Sequence, residues 1–564
     1  MFRFDFEGKT RIFENPIKTI FTCKSSEVLE KLKEAEEECE KGYFVAGFLS
    51  YEALRDFYKI TNKFTYKFPL LHFEVFDGFK EEDSLHVKEE SLHLDLQSNI
   101  TFKEYEKNIS KIQEEIKAGN TYQVNYTTKL IGEFKRDAYD YYMHQLKEQE
   151  AKYCAYLEIK NFKIISISPE LFFKLEKGKL TTKPMKGTTK RGLWFEDDLK
   201  QIEKLYSDKN RAENLMITDL LRNDLGVISK AGSVKVEKLF EAEKYPTIWQ
   251  LTSTITANIK KSVLLADIFK ALFPCGSITG APKLSTMKII NELEQSPREI
   301  YCGTLGFIAP QKEAIFNIPI RTLLVDEVKK EANYGVGGGV TLDSTPKDEY
   351  EEILNKSAIL KAKNLKPKEL LESILLENGE YFLLDLHVKR LMNSAEYFDF
   401  KVDIEVIKEA LLKEITDYKK YKVRLLVDKN GNFKIEKNEL KDLGLKSVKL
   451  SNKAMDNTNV FLYHKTTRRD FYPKTDVGEG ILLYSERGEI TEFTNANVAF
   501  LIDDIWLTPA QSSGLLGGVM REKLLNNGFL KEKIIKIDDI KKATKIAFIN
   551  SVRKWLDVTN LVKL

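Results

Sequence analysis

Two hydrophobic periods alternate along the chain. From Thr101 to Ala118, Tyr105, Ile109, Ile112 and Ile116 fall on one helical face, and Gly119-Asn120 marks the stop. Thr121–Tyr126 then reads as a strand. Ala138–Glu150, Leu264–Phe273 and the run opened by Pro282 through Leu293 are predicted helices, as is the charge-rich Glu27–Glu40. Short apolar runs predict strands at Tyr43–Ser50, Tyr153–Ile159, Phe162–Ile167 and Ile315–Val325. Ser207 or Asp208 caps a helix that turns Ala212, Leu215, Met216 and Leu220 inward, carries Glu213 and is expected to stop at Gly226. Thr345-Pro346 opens another, with Glu349, Glu352 and Lys356 on one face. A lysine-rich hinge, Lys361–Lys368, follows. The pattern predicts an α/β chain in two parts, residues 1–362 and 369–564, joined by a linker at 363–368.

One stretch fits neither period. Lys183-Pro184-Met185-Lys186-Gly187-Thr188-Thr189-Lys190-Arg191-Gly192 holds four cations and two glycines, and is expected to be a loop. Gly187 permits a close backbone approach there, and Thr188 adds an amide and a hydroxyl, a combination suited to a small anion as well as to a plain basic surface loop. Histidine is scarce: the six are His72, His86, His93, His144, His387 and His464. Chemistry between Gln145 and Leu386 therefore falls to carboxylates, lysines or backbone, and a histidine-rich zinc site is excluded there.

Composition narrows the classes further. With 564 residues, 89 Lys+Arg against 86 Asp+Glu and a net charge of +3, the chain gives no case for nucleic acid or a membrane as partner. The five cysteines form no Cys-x-x-Cys pair, which argues against a disulfide scaffold. The opening Met1–Glu7 shows no apolar signal segment and no run of 18 apolar residues exists, so a cytoplasmic address is expected.

Ordered motifs carry more than composition. Ser168-Pro169-Glu170, the Lys186 stretch, Arg211–Asp224, Ile278-Thr279-Gly280-Ala281-Pro282-Lys283, Ile318–Thr322 and Gly337–Ser344 follow one another in an order that resembles the chorismate-binding enzymes. That family comprises anthranilate, isochorismate, salicylate and aminodeoxychorismate synthases. The resemblance runs from about Ala46 to Lys356. It implies a layered α/β sandwich and Mg²⁺ held by Glu213, Glu349 and Glu352, acidic residues whose bare spacing equally suits ion pairs with lysine. Asn210 stands where several members carry a further glutamate. The resemblance also implies substrate contacts from Gly187, Thr188, Tyr301, Arg321, Gly337, Gly339 and Lys356, with Glu170 as the acid at the leaving 4-hydroxyl. Arg222, Asn223 and Asp224 read as structural. Lys186 matches the nucleophilic lysine of the aminodeoxychorismate synthases, where anthranilate synthases have alanine. Gln250 replaces a histidine of the anthranilate type. Positive charge from Lys183, Lys190 and the metal is expected to lower the Lys186 pKa.

A second series lies beyond the hinge: His387–Arg390, Tyr463-His464-Lys465-Thr466-Thr467, Glu492, Asn497, Thr508-Pro509 and Gly517-Gly518-Val519-Met520. It resembles the class IV pyridoxal-phosphate enzymes, which include aminotransferases and 4-amino-4-deoxychorismate lyase. The resemblance implies a shortened α/β domain of that class, with Lys465 as Schiff-base lysine and Glu492 at the pyridine nitrogen. It places Arg390 and the Gly518, Val519 and Met520 amides at the phosphate and Thr508 at the cofactor edge. The opening Lys368–Ser373 lacks the usual Phe-Glu-Thr segment. Class IV enzymes commonly pair as dimers, so a homodimer through this domain is expected.

Together the two resemblances imply 4-aminobenzoate synthesis from chorismate in two steps. Ammonia would come free or from a separate glutamine amidotransferase subunit, since no Gly-x-Cys-x-Gly turn is present. The alternatives are an anthranilate synthase beside a class IV aminotransferase, or an active synthase with a non-catalytic C-terminal domain.

Overall fold

The computed structural model describes residues 1–61, 63–82, 94–357, 360, 366–440, 447–475 and 479–558. His86, His93, the charged run over 83–90 and the first part of the linker therefore lie outside the described residues. The chain forms two compact units, Met1–Lys190 with Ile202–Asn364, and Arg191–Gln201 with Leu365–Leu564.

The first unit is built on two ten-stranded sheets. One runs from Gly280–Ala281 through Gln123–Glu133, Glu331–Val340, Thr322–Asp326, Phe162–Ser168 and Tyr153–Ile159 to the N-terminal strands Phe2–Phe6 and Lys9–Phe13. The other runs from Met185–Lys190 through Ile248–Asn258, Lys179–Lys183, Leu171–Glu176, Glu313–Asn317, Thr304–Ala309, Phe44–Leu49 and Leu71–Phe76 to Lys18–Thr22. Their facing sides share an aromatic core: Phe4 and Phe13 of the first sheet pack on Phe307 of the second, with Phe4 and Phe307 ring centroids 5.4 Å apart. Helices cover the outer faces. Phe102–Lys117 buries Tyr105, Ile109 and Ile112, and Thr101 with Glu104 forms its capping box. This is a four-layer sandwich, as burial of two sheet faces against each other and two against helices requires.

Three local readings change. Met185–Lys190 is a strand, paired with Ile248–Asn258. Its register shifts between Met185 and Thr188, and Gly187 sits at φ +86°, so a bulge interrupts the alternation that would have marked it. Ile315–Val325 is two strands, Glu313–Asn317 and Thr322–Asp326. Pro319 lies in the break and Arg321 turns it at φ +54°. The helix Asp208–Ile228 passes through Gly226 rather than stopping there, its first turn capped by Ser207, and its buried face is made by Asn214, Ile217, Thr218, Leu221 and Leu225, with Ala212 and Leu215 exposed rather than inward.

Among the described residues the second unit holds three sheets. Glu369–Glu377 pairs with Tyr421–Asp428, which pairs with Phe433–Glu439. Ser447–Leu450 lies parallel to Glu479–Tyr484, beside Ile490–Phe493. Asn497–Ile502 sits between Ile505–Pro509 and Lys545–Asn550. Helix Leu384–Phe398 packs its Leu391, Ala395 and Phe398 over the first sheet.

Candidate functional sites

In the first unit the bulged strand sets the position of Lys186. Gln250 pins the bulge from both sides, accepting from Thr188 Oγ1 at 2.9 Å and donating to the Gly187 carbonyl at 2.9 Å. Asn210, which stands in the metal-adjacent position of the resemblance, packs against Gly187: a Cβ there would lie 3.0 Å from its side chain. Burial lowers the Lys186 pKa, opposed by Glu213 and Glu170, and Lys356 lowers it further. Lys183 is not the cause expected of it, because it is paired with Glu243 and lies 3.6 Å from Glu241.

Glu170 follows a strand end and is 3% exposed. Burial pushes its carboxyl up to about 7, against the hydroxyl of Ser277 and the charge of Lys186. The Met185 amide donates to it at 3.4 Å. A carboxylic acid that remains protonated near neutrality is suited to donate a proton. Arg321 is depressed from its ordinary pKa by burial, among Tyr334, Tyr245 and Glu170. Tyr301 is buried, with its phenol pKa raised by desolvation, and packs against Gly335, where a Cβ would meet its ring at 2.1 Å.

The glycine-rich segment is the strand Glu331–Val340, and strand alternation separates its glycines. Gly337 and Gly339 press on the protein itself: added Cβ atoms would meet the Tyr126 carbonyl at 2.5 Å and the Gln123 amide at 2.2 Å. Gly338 faces the other way, where a Cβ would lie 2.8 Å from Glu349 Oε2 and 3.7 Å from Glu352 Oε1. Glu352 pairs with Lys356 at 2.7 Å, and Lys356 also donates to the Gly337 carbonyl at 2.6 Å. Ser344 donates to Glu349 at 2.6 Å, and burial raises the Glu349 pKa, with Glu352 adding to it. Among the described residues no group of three His, Cys, Asp or Glu side chains is gathered for a metal. Glu349 and Glu352 both lie beside Gly338, oxygen donors of the kind a hard divalent cation takes, while Glu213 acts on Lys186. Arg222 pairs with Asp219 at 2.9 Å on the surface, and Asp224 with Lys283 at 2.6 Å.

In the second unit, Lys465 lies in a segment stitched to the first strand: Leu371 N donates to its carbonyl at 3.0 Å, and Thr467 N donates to Glu369 at 3.0 Å. Burial, reinforced by Arg390 and Arg469, brings its amine down to about 7. Glu492 is 4% exposed, and burial lifts its carboxyl to about 7. Three donors hold it: Tyr472 Oη at 2.8 Å, Asn497 Nδ2 at 3.1 Å and the Leu516 amide at 3.3 Å. Gly518 caps the helix Val519–Asn526, and a Cβ on it would strike Asn497 Oδ1 at 1.9 Å. Val519 and Met520, both buried, open that helix with their amides at its positive end. Thr508 is buried and donates to the Val498 carbonyl at 2.8 Å.

Arg390 is committed more deeply than its motif suggested. Its Nε and Nη2 reach Glu372 at 2.9 and 2.5 Å, and its Nη1 reaches the Gly517 carbonyl at 3.3 Å. His387 Nδ1 meets the same carboxylate at 2.6 Å. Sequence reading passed over Glu372, although a glutamate inside the apolar run Leu370–Leu376 was the available signal. Burial opposes its charge, but Arg390 and His387 overcome this and hold the carboxyl at about 2, below its ordinary 4.5. A depressed carboxylate contributes stability above its unfolded pKa, lost as pH falls through the folded value. The second unit should therefore lose this contribution between about pH 4.5 and 2. Glu372→Gln should remove that acid dependence and cost about 3–5 kcal/mol at neutral pH, measured by denaturant unfolding, because it strands two buried partners.

Comparison with known proteins agrees with this two-part arrangement. Residues 5–362 match the chorismate binding enzyme family, and residues 369–561 match amino-transferase class IV. The chain belongs to the chorismate-binding enzyme family, with a class IV aminotransferase-like domain following on the same polypeptide. It is 38% identical to aminodeoxychorismate synthase component 1 of Escherichia coli over 267 residues, which is 47% of this chain and 58% of that protein. It is 37% identical to anthranilate synthase component 1 of Aquifex aeolicus over 267 residues, 47% of this chain and 54% of that protein. The chain thus spans little more than half the length of these relatives. The crystal structure of anthranilate synthase component I from Streptococcus pneumoniae shares the fold, with a TM-score of 0.56 at 23% identity over 64% of this chain and 92% of that one. Among the described residues no helix is long and apolar enough to cross a membrane.

Proposed function

We propose that the chain makes 4-aminobenzoate from chorismate and ammonia in two steps, the first unit forming 4-amino-4-deoxychorismate and the second removing pyruvate. Near-equal identity to an aminodeoxychorismate and an anthranilate synthase leaves the choice to chemistry. The observation that carries it is the Lys186 amine, set on a bulge that Gln250 pins and lowered in pKa by burial, within electrostatic reach of Glu170, whose carboxyl burial lifts to about 7. In this reading the Lys186 amine bonds to C2 of chorismate as the C4–oxygen bond breaks, and Glu170 gives its proton to the departing hydroxyl, which leaves as water. Ammonia then bonds to C4 as the lysine leaves C2. Arg321 would hold a substrate carboxylate with its planar pair of donors. Glu349 and Glu352 would hold Mg²⁺, which supplies positive charge for the ring carboxylate.

The residues of the second unit fit pyridoxal phosphate: a half-buried amine near neutrality, a buried carboxyl held by three donors, and a glycine-capped helix start. When bound, that cofactor supplies an electron sink. Lys465 would anchor it and move protons at the substrate carbon. Glu492 would face the ring nitrogen, kept there by Tyr472 and Asn497. The Val519 and Met520 amides would receive the phosphate. Ammonia would come free or from a separate glutamine amidotransferase.

The test is the purified chain with chorismate, ammonium and Mg²⁺, its products separated and followed by mass. 4-Aminobenzoate and pyruvate are expected, and 2-aminobenzoate as the main product sinks the assignment. Glu352→Gln should remove chorismate consumption, as chelation should in the unaltered enzyme. Activity indifferent to both would refute the metal role of this pair.

A further inference from the structure

Residues Arg191–Gln201 lie inside the chorismate-binding part of the sequence, yet they pack with the second unit. Their contacts reach Tyr463 directly and His464 through Tyr397. The Trp194 indole stacks on Tyr463, with centroids 5.3 Å apart and planes at 19°. The Arg191 guanidinium lies 4.2 Å over the Tyr397 ring and donates to the Tyr397 carbonyl at 3.1 Å. Tyr397 Oη returns a hydrogen bond to the Gly192 carbonyl at 2.6 Å. The Tyr397 ring in turn lies 4.4 Å from the His464 imidazole, with Phe398 at 4.8 Å on another side. Ser394 Oγ lies 2.9 Å from His464 Nδ1.

The arm is itself locked. Asp198 takes the Arg191 guanidinium at 2.7 Å and accepts from the Gly192 amide at 2.8 Å, while Asp197 accepts from the Leu193 amide at 2.9 Å. Gly192 is required: a Cβ there would strike the Asp198 amide nitrogen at 2.2 Å. A surface loop needs none of this. Two buried charges neutralise each other beneath an aromatic ring, and an exposed arm would gain little from so exact a fold.

We propose that Arg191–Gln201 is a positioning element of the second site, in which Trp194 and Arg191 fix Tyr463-His464 and thereby the place of the Lys465 amine. The class IV domain of this chain is then incomplete without a segment that its own stretch of sequence does not encode. Its shortened N-terminal opening is consistent with such a donation. A misplaced reactive group costs up to roughly a hundredfold per ångström, so a stacked indole one residue from His464 has leverage.

Two measurements on the full chain decide this, and only the second rests on the pyridoxal-phosphate reading. In the first, hydrogen exchange without cofactor is followed in peptides covering 460–467. Trp194→Ala should speed exchange there by roughly tenfold, and Trp194→Phe should restore protection, since a planar ring still covers Tyr463. Unchanged exchange in Trp194→Ala overturns the proposal. In the second, pyridoxal phosphate is titrated and its visible band followed against pH. Trp194→Ala and Arg191→Lys should weaken binding by roughly tenfold and displace the midpoint of the band, which a merely structural loss would leave in place. An unmoved midpoint with unchanged affinity also overturns it. If the unaltered chain binds no pyridoxal phosphate, the lyase reading fails while the exchange result still decides the arm. Should Trp194→Ala unfold the unit, Asp198→Asn loosens Arg191 without removing a ring and gives the same readouts.

Discussion

Lys465→Ala is expected to stop 4-aminobenzoate formation while 4-amino-4-deoxychorismate accumulates from the first unit. The loss should be roughly 10³-fold or more, within the range for a group that moves protons in the reacting complex. The amine is placed for that work by burial and by two nearby guanidinium groups, which bring it to about 7 rather than the lysine value of 10.5. At neutral pH much of it is then unprotonated, as both bonding to a carbonyl carbon and accepting a proton require. Glu492 at about 7 gives the opposite requirement, a carboxyl that can share a proton with a ring nitrogen. Activity of the second step should fall as pH drops well below 7, where Lys465 becomes fully charged. Unaltered aromatic product from Lys465→Ala would refute the lyase reading. Faster amino transfer with a branched-chain acid would favour an aminotransferase in its place.

The parts of the fold legible in the sequence were those whose burial is one-sided. The helix Phe102–Lys117 could be read because its core contacts, Tyr105, Ile109 and Ile112, repeat at helical spacing between a capping box and a glycine. The strand Met185–Lys190 could not, because its bulge at Gly187 breaks the alternation and its outward positions are lysine and threonine. Ile315–Val325 looked continuous because apolar residues on both sides of Pro319 are buried, and periodicity does not register a turn made by Arg321 at positive φ. At the candidate sites, the order of motifs singles out Lys186, Glu170, Lys465 and Glu492, but not the side chains that surround them. Glu372 was hidden because its role depends on His387 and Arg390, one helix away. The resemblance points to Gly337 and Gly339, while strand alternation turns Gly338 toward the carboxylates, which a run of glycines in sequence does not show. The Arg191–Gln201 arm was illegible for a related reason. Its side chains show that something is to be buried, but not against which part of the chain.

Lys186→Ala is expected to lower formation of the 4-amino product by roughly two to four orders of magnitude, the range for loss of a group that acts directly on the reacting atoms. Nitrogen must arrive at the same carbon the hydroxyl leaves, and two allylic displacements through C2 achieve this where one direct displacement is awkward. The first needs a nucleophile at C2 that later departs. Lys186 qualifies because burial and Lys356 favour its neutral amine, and because Gln250 and Asn214 hold its strand: the Asn214 amide donates to the Leu251 carbonyl at 3.2 Å and lies 3.5 Å from the Lys186 carbonyl. The acid is Glu170, protonated below about 7. The first step should therefore weaken as pH rises through that value, since the proton for the leaving hydroxyl is then lost, and weaken again at low pH as Lys186 gains its own proton. Glu170→Gln should abolish the upper limb along with most of the rate. With chorismate and no ammonia, a covalent adduct on Lys186 should accumulate and be found by peptide mapping. In Lys186→Ala, ammonia can reach C2 itself, and a small 2-amino product is expected. An electrostatic role for Lys186 predicts instead no adduct and a rate partly restored by Lys186→Arg, which keeps the charge but offers no neutral amine to bond to C2. Absence of the adduct together with normal 4-amino product from the alanine variant would remove the covalent route.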